Sequence, residues 1–447
     1  MSDILKKEEL EGYFHDSAKP RDQWRVGTEY EKVGIDRKSG KAIPYFGRGG
    51  VEAILKELVK RYGWQPKEED EHIISLTGEK TEITLEPGGQ IELSGEPCDS
   101  IHCADAEFHQ HIRELLEVAG DLDVAFLGLG IQPVSVLDEI EWVPKRRYRI
   151  MAPYMARVGT LGHRMMKQTA TVQANIDYSD EKDAMAKFRT GMGIAPLITA
   201  VFANSPISEG SLNGYKSYRG HVWTRTDRDR CGLLRFAFSP DVTFGHYVEY
   251  ALDVPMYFIV RDGSYLDFSG VPFRQFLLHG HQGHRATLED WDLHLTTLFP
   301  EIRIKRYMEI RSADSQPPEL MPALPALIKG IFYDADCLEA VWDLVKGWSW
   351  DEKMEIYHGS HKYALAARVR RHSLLDLARE LLEVALEGLR RQHVLNNNGE
   401  DETIYLKPLQ EIVSQGKCPA DLLEEQWEGE FGRDLRKLID YSSYKLP

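Results

Sequence analysis

Three short segments with acidic faces, far apart in the chain, most constrain how this sequence can fold. Residues 27–31, 86–92 and 306–311 each have the pattern of a β-strand, in which every second side chain shares a face. The pairs that share a face are Glu29 with Glu31, Gln90 with Glu92, and Glu309 with Arg311. Adjacent carboxylates repel one another, and a divalent cation is the strongest way to offset that repulsion. The pattern therefore indicates a metal site.

A fourth segment, residues 169–177, alternates polar and apolar side chains in the same way. Its polar face consists of Thr169, Thr171, Gln173, Asn175 and Asp177. Taken alone, the segment is typical of an antiparallel strand with its polar side in water. Taken with the three acidic segments, it predicts one sheet whose polar face binds Mg²⁺ and a ligand that carries phosphate groups.

The carboxylates that we expect to bind Mg²⁺ or Mn²⁺ are Glu29, Glu31, Glu92 and Glu309. Hard oxygen ligands suit these ions, and Mg²⁺ normally bridges protein carboxylates to substrate phosphates. The alternative is that these groups form surface salt bridges. Glu82 and Glu86 stay open, because the Pro-Gly-Gly sequence at 87–89 interrupts the strand that would align them with Glu92.

Two arginines are candidates for binding anionic groups. Arg311 lies two residues beyond Glu309 on the same face, where its guanidinium can grip a transferring phosphoryl group or simply pair with Glu309. Arg219 lies among aromatic residues at 215–223, a mixture that suits an amino-acid pocket, although a solvated helix position is the alternative. The sequence contains no P-loop, dinucleotide fingerprint, zinc motif or nucleophile elbow.

Composition narrows the class of protein. The 447 residues are 42% apolar, enough for a sizeable core, and the net charge of -16 argues against nucleic-acid or anionic-membrane partners. Five dispersed cysteines without a C-x-x-C pair predict reduced thiols and a cytoplasmic location. We find no hydrophobic signal core at the N-terminus and no apolar run long enough to span a membrane.

The order of predicted elements indicates an α+β fold with a mainly antiparallel sheet. Predicted strands cover 24–35, 82–93, 124–134, 169–177 and 302–311, predicted helices include 51–62, 101–119, 181–202 and 213–225, and the chain beyond 311 is mostly helical. Because the candidate strands extend from residue 27 to residue 311 without a long linker, we expect residues 1–447 to form one catalytic domain.

Several segments also resemble a known family. Gly-Thr-Glu-Tyr-Glu-Lys at 27–32, Glu-Pro-Gly-Gly-Gln-Ile-Glu at 86–92 and Arg-Tyr-Met-Glu-Ile-Arg-Ser-Ala-Asp at 306–314 resemble glutamate-cysteine ligase of the plant and proteobacterial type. Further matching segments follow in order at 169–177, 202–206, 251–258, 294–300, 407–413 and 419–422. The resemblance therefore covers nearly the whole chain.

The resemblance implies a fold and an activity. The fold is a curved antiparallel sheet flanked by helices, similar to the catalytic core of glutamine synthetase and guanidino kinases. The activity is the Mg²⁺-dependent joining of L-glutamate to L-cysteine with ATP, through a γ-glutamyl phosphate, which is the first step of glutathione synthesis. A ligase of the same architecture that uses another amine, and a catalytically inactive ligand-binding relative, are the alternatives. The protein is expected to be a monomer or a homodimer.

The resemblance also implies roles for individual residues. Glu29, Glu31, Glu92 and Glu309 match metal ligands, and Arg311 and Glu309 match catalytic positions beside the phosphates. Arg219 matches the arginine that binds the glutamate α-carboxylate, with Thr169 and Thr171 bordering that pocket. Gln173 and Asn175 match the nucleotide region, and Tyr257 matches the cysteine side. Phe268 and Pro322 stand where plant members have regulatory cysteines, so we expect no redox switch of the plant type.

Overall fold

The computed structural model describes residues 5–445, and its strands form one large sheet and four small two-stranded ones. The strands are β1 Val26–Asp36, β2 Gln65–Glu69, β3 His72–Thr77, β4 Glu82–Leu85, β5 Ile91–Ser94, β6 Val124–Leu127, β7 Thr171–Ile176, β8 Ile207–Ser208, β9 Ser211–Leu212, β10 Cys231–Gly232, β11 Phe258–Arg261, β12 Ser264–Asp267, β13 Phe299–Pro300, β14 Ile302–Ile304, β15 Met308–Asp314, β16 Arg368–Val369 and β17 His372–Ser373.

The large sheet has nine strands, and each of its pairings is antiparallel. Its order is β14-β15-β7-β1-β5-β4-β3-β2, and β6 pairs with the second half of β1. At 11 residues β1 is long enough to pair with β5 and β7 near its start and with β6 near its end. The predicted α+β class with a mainly antiparallel sheet is confirmed.

Helices cover one face of the sheet and make up most of the C-terminal part. They are α1 Lys7–His15, α2 Val51–Tyr62, α3 Ile101–Asp121, α4 Tyr148–Val158, α5 Gly162–Gln168, α6 Glu181–Val201, α7 Tyr218–Trp223, α8 Phe244–Asp253, α9 Phe273–His279, α10 Leu288–Leu295, α11 Ala323–Phe332, α12 Ala335–Val345, α13 Trp350–Tyr363, α14 Leu374–Gln392, α15 Lys407–Ser414, α16 Pro419–Glu428 and α17 Leu435–Ser442. The predicted helical C-terminal portion is confirmed.

The alternation along β1 separates the core face of the sheet from its polar face. Thr28, Tyr30 and Lys32 are almost fully buried, and the Tyr30 ring lies 4.7 Å from that of Phe108 on α3. Helices α3, α6 and α11 pack against the strands on this side. The intervening side chains of β1 therefore point to the opposite face, which the helices leave free.

The strand register places the distant acidic segments side by side. Glu31 lies opposite Glu92, and Glu29 lies opposite Gln173. Directly opposite residues of antiparallel strands share a face, so these side chains converge on one surface. The single polar face predicted from the sequence is therefore present.

A β-bulge interrupts the pairing of β15 with β7. Glu309 faces Asn175, but the register shifts between Ile310 and Ala313, and Asp314 then faces Thr171. A bulge inserts one extra residue and changes which side chains share a face. Strict alternation would group residues 309, 311 and 313, whereas here Asp314 takes the face of Thr171.

Three predicted strands are shorter than expected, each for a local reason. The segment 82–93 contains a turn in which Glu86 N donates to Gln90 O at 3.0 Å, and the segment 302–311 is a hairpin that turns at 305–307. The strand that begins at Val124 ends at Leu127, because the amide of Gly130 donates to Asn204 O instead of to a strand. The predicted helix 213–225 is limited to α7.

The expectation that all five cysteines are reduced is wrong for one pair. Cys98 and Cys103 form a disulfide, with their Cα atoms 5.8 Å apart. A backbone bridge from Cys98 to Val26 and the start of α3 at Ile101 hold both residues at the edge of β1. Cys231, Cys337 and Cys418 are free.

Within residues 5–445, the structure contains no helix that is both long enough and apolar enough to cross a membrane.

Substitution of Gly88, in the turn between β4 and β5, tests whether close packing at this turn stabilises the hairpin. A Cβ at this position would lie 2.1 Å from the carbonyl oxygen of Lys167, so the backbone would have to move. We expect Gly88→Ala to lower the free energy of unfolding by about 1–3 kcal/mol, measured by chemical denaturation. Gly120→Ala on α3, where a Cβ meets nothing within 4 Å, is the control and should stabilise by about 0.5–1 kcal/mol. Equal effects of the two changes would contradict this account of the turn.

Candidate active site

A cleft of about 450 Å³ lies over the polar face of the large sheet. Residues of β1, β4, β5 and β7 form its floor, and side chains from the segments 145–151, 293–303 and α7 form its walls. Glu31, Glu86 and Glu92 cluster in one part of the cleft, and Arg303 and Arg311 cluster in another around Glu309. The cleft is therefore divided electrostatically into an acidic and a basic region.

Three glutamates form the acidic region. Oxygen atoms of Glu31, Glu86 and Glu92 all lie within 4.8 Å of one another. Glu92 accepts hydrogen bonds from Thr84 Oγ1 at 2.9 Å and Ser94 Oγ at 2.8 Å, which fix its carboxylate. We call these three residues the carboxylate trio. Glu86, which the sequence left open, joins it because the turn at 86–90 folds back over β5.

The trio is electrostatically unfavourable without a cation. Burial raises the pKa of Glu31 well above its ordinary value, and repulsion by Glu86 and Glu92 adds to the effect. The pKa of Glu92 is raised by the same causes, burial first and Glu86 second. Glu31 and Glu92 are buried and Glu86 is half-buried, and closely spaced carboxylate oxygens are the donor set that Mg²⁺ prefers, so these residues fit a magnesium ion.

Glu29 lies between the two regions of the cleft. Burial, with repulsion from Glu309 and Glu92, raises its pKa to about 7. Asn175 Nδ2 donates to Glu29 Oε1 at 3.0 Å, and Asn175 is not among the residues that line the cleft. Asn175 therefore contacts the cleft through Glu29.

Of the four glutamates expected to bind metal, Glu31 and Glu92 belong to the carboxylate trio, and Glu29 and Glu309 lie outside it. The fully buried carboxylate of Glu309 forms ion pairs with Arg303, Lys305 and Arg311, the last at 3.3 Å. Burial alone would raise the pKa of Glu309, but these cations hold it at about 2. Glu309 therefore serves as the counter-ion that organises the basic region.

Arg303 and Arg311 present this basic region to the cleft. Arg303 Nη1 donates to the carbonyl oxygens of Thr296 at 2.8 Å and Leu298 at 2.9 Å. Arg311 Nη1 donates to Gln173 Oε1 at 2.6 Å. The sequence interpretation missed Arg303, although pairing 302–304 with 308–310 as a hairpin places it opposite Glu309.

Arg219 lies on α7 at the wall of the cleft, as expected for a substrate-binding residue. Its Nη2 donates to the carbonyl oxygen of Arg311 at 3.0 Å, and its guanidinium lies 6.0 Å from the ring centre of Trp223. Among the described residues, no carboxylate forms a salt bridge with it. Its charge is therefore available to an anionic ligand.

Arg147 is a second such arginine, which the sequence interpretation missed. It lines the cleft, and its Nη2 donates to the hydroxyl of Tyr148 at 3.3 Å, while its buried Nε has no partner among the described residues. Lys145 lies nearby, and burial lowers its pKa to about 7. The run of basic residues at 145–147 was the available signal.

The remaining expected residues separate into two groups. Thr169, Thr171 and Gln173 line the cleft. Tyr257 does not: it is buried, its hydroxyl contacts Met155 Sδ at 3.6 Å, and its ring faces Arg230 at 4.1 Å. The structure therefore corrects the expectation that Tyr257 borders a substrate, because its side chain packs inside the protein.

An antiparallel sheet that carries clustered carboxylates beside arginines is the arrangement of an enzyme that handles a metal ion and phosphate together. Residues 25–437 match glutamate-cysteine ligase family 2. The chain is 40% identical to the chloroplastic glutamate-cysteine ligase B of Oryza sativa subsp. japonica, over 97% of this chain and 86% of that protein. It is 41% identical to the chloroplastic enzyme of Brassica juncea, over 96% and 83% of the two chains. The chain therefore belongs to the glutamate-cysteine ligase family.

A solved structure supports the fold. The glutamate-cysteine ligase of Francisella tularensis, determined in complex with AMP, superposes with a TM-score of 0.57 over 95% of this chain and 90% of that one. Sequence identity is 15%, so this comparison concerns the fold alone.

The predicted cytoplasmic location is wrong according to the same comparisons. The plant relatives, including that of Arabidopsis thaliana at 40% identity over 98% of this chain, are named as chloroplastic enzymes. Dispersed cysteines and an acidic composition do not distinguish between these compartments.

The two roles assigned to carboxylates can be separated by stability measurements without ligands. We expect Glu309→Gln to lower the free energy of unfolding by about 3–5 kcal/mol, because it leaves buried cations without their counter-ion. Glu86→Gln should leave that free energy unchanged or raise it, because it removes one of three repelling charges. Denaturation in the presence of a chelator measures both. A greater loss for Glu86→Gln than for Glu309→Gln would contradict the division of the cleft.

Proposed function

We propose that this protein joins the γ-carboxylate of L-glutamate to the amine of L-cysteine, using ATP, to give γ-glutamylcysteine, ADP and phosphate. This reaction is the first step of glutathione synthesis. The observation that carries the proposal is one cleft, in a member of this family, that combines the carboxylate trio with two arginines free to bind carboxylates. Phosphoryl chemistry and two amino-acid ligands are accommodated together.

The carboxylate trio would hold Mg²⁺ in this cleft. Bound there, the ion supplies positive charge that neutralises the phosphates of ATP. Mn²⁺ prefers the same oxygen donors and should substitute for it. Glu29 lies close enough to both Glu92 and Glu309 for their charges to raise its pKa, so it is a further acidic side chain between the trio and the basic region.

The basic region stabilises the phosphoryl group during transfer. The glutamate γ-carboxylate oxygen forms a bond to the γ-phosphorus of ATP, the bond from that phosphorus to the β,γ-bridging oxygen breaks, and ADP leaves. In this proposal the transfer takes place beside Arg303 and Arg311, which line the cleft, because fixed guanidinium groups stabilise charge that is spread over the phosphoryl oxygens. Glu309 and Gln173 hold the arginines in place, so little reorganisation accompanies the transfer.

Two arginines bind the amino acids. Arg219 holds the α-carboxylate of glutamate, with Thr169 and Thr171 on the neighbouring part of the wall. Arg147 holds the carboxylate of cysteine, because its guanidinium lines the same cleft and lacks an acidic partner among the described residues. Planar guanidinium groups bind carboxylates through two parallel hydrogen bonds, which orients both substrates.

The second step forms the amide. The deprotonated amine of cysteine attacks the carbonyl carbon of the γ-glutamyl phosphate, the bond from that carbon to the phosphate oxygen breaks, and inorganic phosphate leaves. The remaining amine proton is then lost to solvent or to a neighbouring base. Holding both substrates in one cleft supplies most of the acceleration, so no covalent protein intermediate is required.

We also assign residues 1–447 to one catalytic domain. Several strands, the first of them β1 and the last β15, contribute residues to the same cleft, and α4, α7 and the segment 293–303 complete it. A division of the chain before residue 311 would separate parts of the site.

An assay of ADP release tests the proposal. ADP formation should require L-glutamate and L-cysteine together with Mg²⁺-ATP, and mass spectrometry should identify γ-glutamylcysteine in an amount equal to ADP. Replacing cysteine with other small amines separates this enzyme from a ligase with a different amine substrate. Faster turnover with another amine, or ATP binding without turnover, would contradict the proposed reaction.

The carboxylate trio predicts how the reaction depends on magnesium. We expect a chelator to abolish ADP release and Glu86→Gln to raise the Mg²⁺ concentration required for half-maximal rate by about tenfold or more, because one ligand is lost. Glu79→Gln, an exposed carboxylate in the neighbouring turn, is the matched control and should behave as the unaltered protein. An unchanged Mg²⁺ requirement in Glu86→Gln would exclude Glu86 as a ligand.

The two arginines should show opposite substrate dependence. We expect Arg147→Ala to raise the KM for cysteine by about ten- to hundredfold, because a charge-assisted hydrogen bond to the substrate is lost. The KM for glutamate should stay within about twofold of its original value. Arg219→Ala should do the reverse. Steady-state kinetics with each amino acid varied in turn measures both, and the same KM affected by both variants would contradict the assignment.

A further inference from the structure

Asp314, at the end of β15, is a buried carboxylate that the proposed mechanism does not use. It is 1% exposed, and among the described residues it forms no salt bridge. Its Oδ2 accepts hydrogen bonds from the amide of Asn204 at 2.8 Å and from Ser205 Oγ at 2.6 Å, and its Oδ1 accepts from Ser217 Oγ at 2.8 Å. Burial raises the pKa of Asp314, and the nearby charge of Arg219 and these three hydrogen bonds oppose that rise.

Two of these donors also fix the helix that carries Arg219. Ser205 Oγ accepts a hydrogen bond from the amide of Arg219 at 3.1 Å. Ser217 Oγ accepts from the amide of Gly220 at 3.1 Å and caps the N-terminus of α7. Because each hydroxyl donates to Asp314, its lone pairs are directed at these two amides. The carboxylate therefore controls the position of the first turn of α7.

Strand β15 also contacts the guanidinium group of Arg219. The carbonyl oxygen of Arg311 accepts from Arg219 Nη2 at 3.0 Å. Arg311 and Asp314 reach this helix together because of the bulge in β15, which places Asp314 on the face of Thr171. One strand segment thus fixes both the backbone and the guanidinium of Arg219.

The surroundings of Asp314 leave little freedom for another arrangement. A Cβ on Gly130 would lie 2.6 Å from the Cβ of Asp314, so glycine is needed beside it. Asn204 Nδ2 donates to the carbonyl oxygens of Gly128 at 2.7 Å and Ser315 at 3.0 Å. These bonds fix Asn204, whose backbone amide donates to Asp314. The carboxylate is held in one geometry by both neighbouring segments.

We infer that Asp314 is a positioning residue that sets the orientation of Arg219 toward the α-carboxylate of glutamate. The inference rests on the proposed role of Arg219. Asp314 contacts no substrate, and it acts through the two serine hydroxyls on the first turn of α7. Loss of the carboxylate should therefore weaken glutamate binding selectively and leave the phosphate and cysteine subsites intact.

Asp314→Asn, which preserves side-chain shape, tests the inference. The side-chain amide nitrogen of the new asparagine cannot accept a hydrogen bond, so only one side-chain oxygen remains as an acceptor. The hydroxyl groups of Ser205 and Ser217 would then compete for that oxygen. We expect the KM for glutamate to rise about tenfold or more, while the KM values for ATP and cysteine stay within about twofold. Ser205→Ala and Ser217→Ala should each produce part of the effect on the same KM.

Two further variants make the result decisive. Glu402→Gln alters another fully buried carboxylate, which accepts from the amide of Ile101 at 2.6 Å and from Lys329, and should lower stability without changing the KM for glutamate. Arg219→Ala tests the underlying role. If Arg219→Ala raises the KM for glutamate but Asp314→Asn does not, or Asp314→Asn changes all three KM values equally, the inference about Asp314 is wrong.

If Arg219→Ala leaves the KM for glutamate unchanged, the proposed role of Arg219 fails instead. Should Asp314→Asn not yield folded protein, the two serine variants decide the question. A selective rise in the KM for glutamate in both would support the inference, and no rise in either would overturn it.

Discussion

The central constraint in this protein is the pairing of β1 with β5 and β7, which brings buried carboxylates together on one face of the sheet. The register places Glu31 against Glu92 and Glu29 against Gln173, and the turn at 86–90 adds Glu86. Mutual repulsion and burial both disfavour this arrangement. The helices on the opposite face, with their large apolar core, supply the folding free energy that keeps it in place. A bound cation, as proposed here, would offset this repulsion.

The cleft also contains a group of cations that is held together by a single carboxylate. Glu309 neutralises Arg303, Lys305 and Arg311, so this cluster of cations is stable in a buried position. A region of fixed positive charge then lies next to the carboxylate trio. In the proposed reaction, a nucleotide phosphate bound between them would meet a cation held by the carboxylates and the guanidinium groups of Arg303 and Arg311, which suits the transfer of a phosphoryl group to a carboxylate.

Side-chain alternation was enough to predict the polar face, the antiparallel sheet and a minority of the residues that line the cleft, namely Glu29, Glu31, Glu92, Thr169, Thr171, Gln173 and Arg311. It could not place Glu86, because a turn rather than a strand positions it, or assign Glu309 to its cations, because that requires the hairpin of β14 and β15. The bulge that moves Asp314 to the face of Thr171 leaves no mark in the alternation. The basic run at 145–147 marks Arg147 as a candidate, but its place in the cleft depends on how separate segments pack, as does the buried position of Tyr257.

The most direct test of this account is anomalous diffraction from crystals of the protein loaded with Mn²⁺ and a non-hydrolysable ATP analogue. The account predicts an anomalous peak bonded to oxygens of Glu31, Glu86 and Glu92, with the terminal phosphate facing Arg303 and Arg311. A complex with bound nucleotide and no metal among these three carboxylates would contradict it.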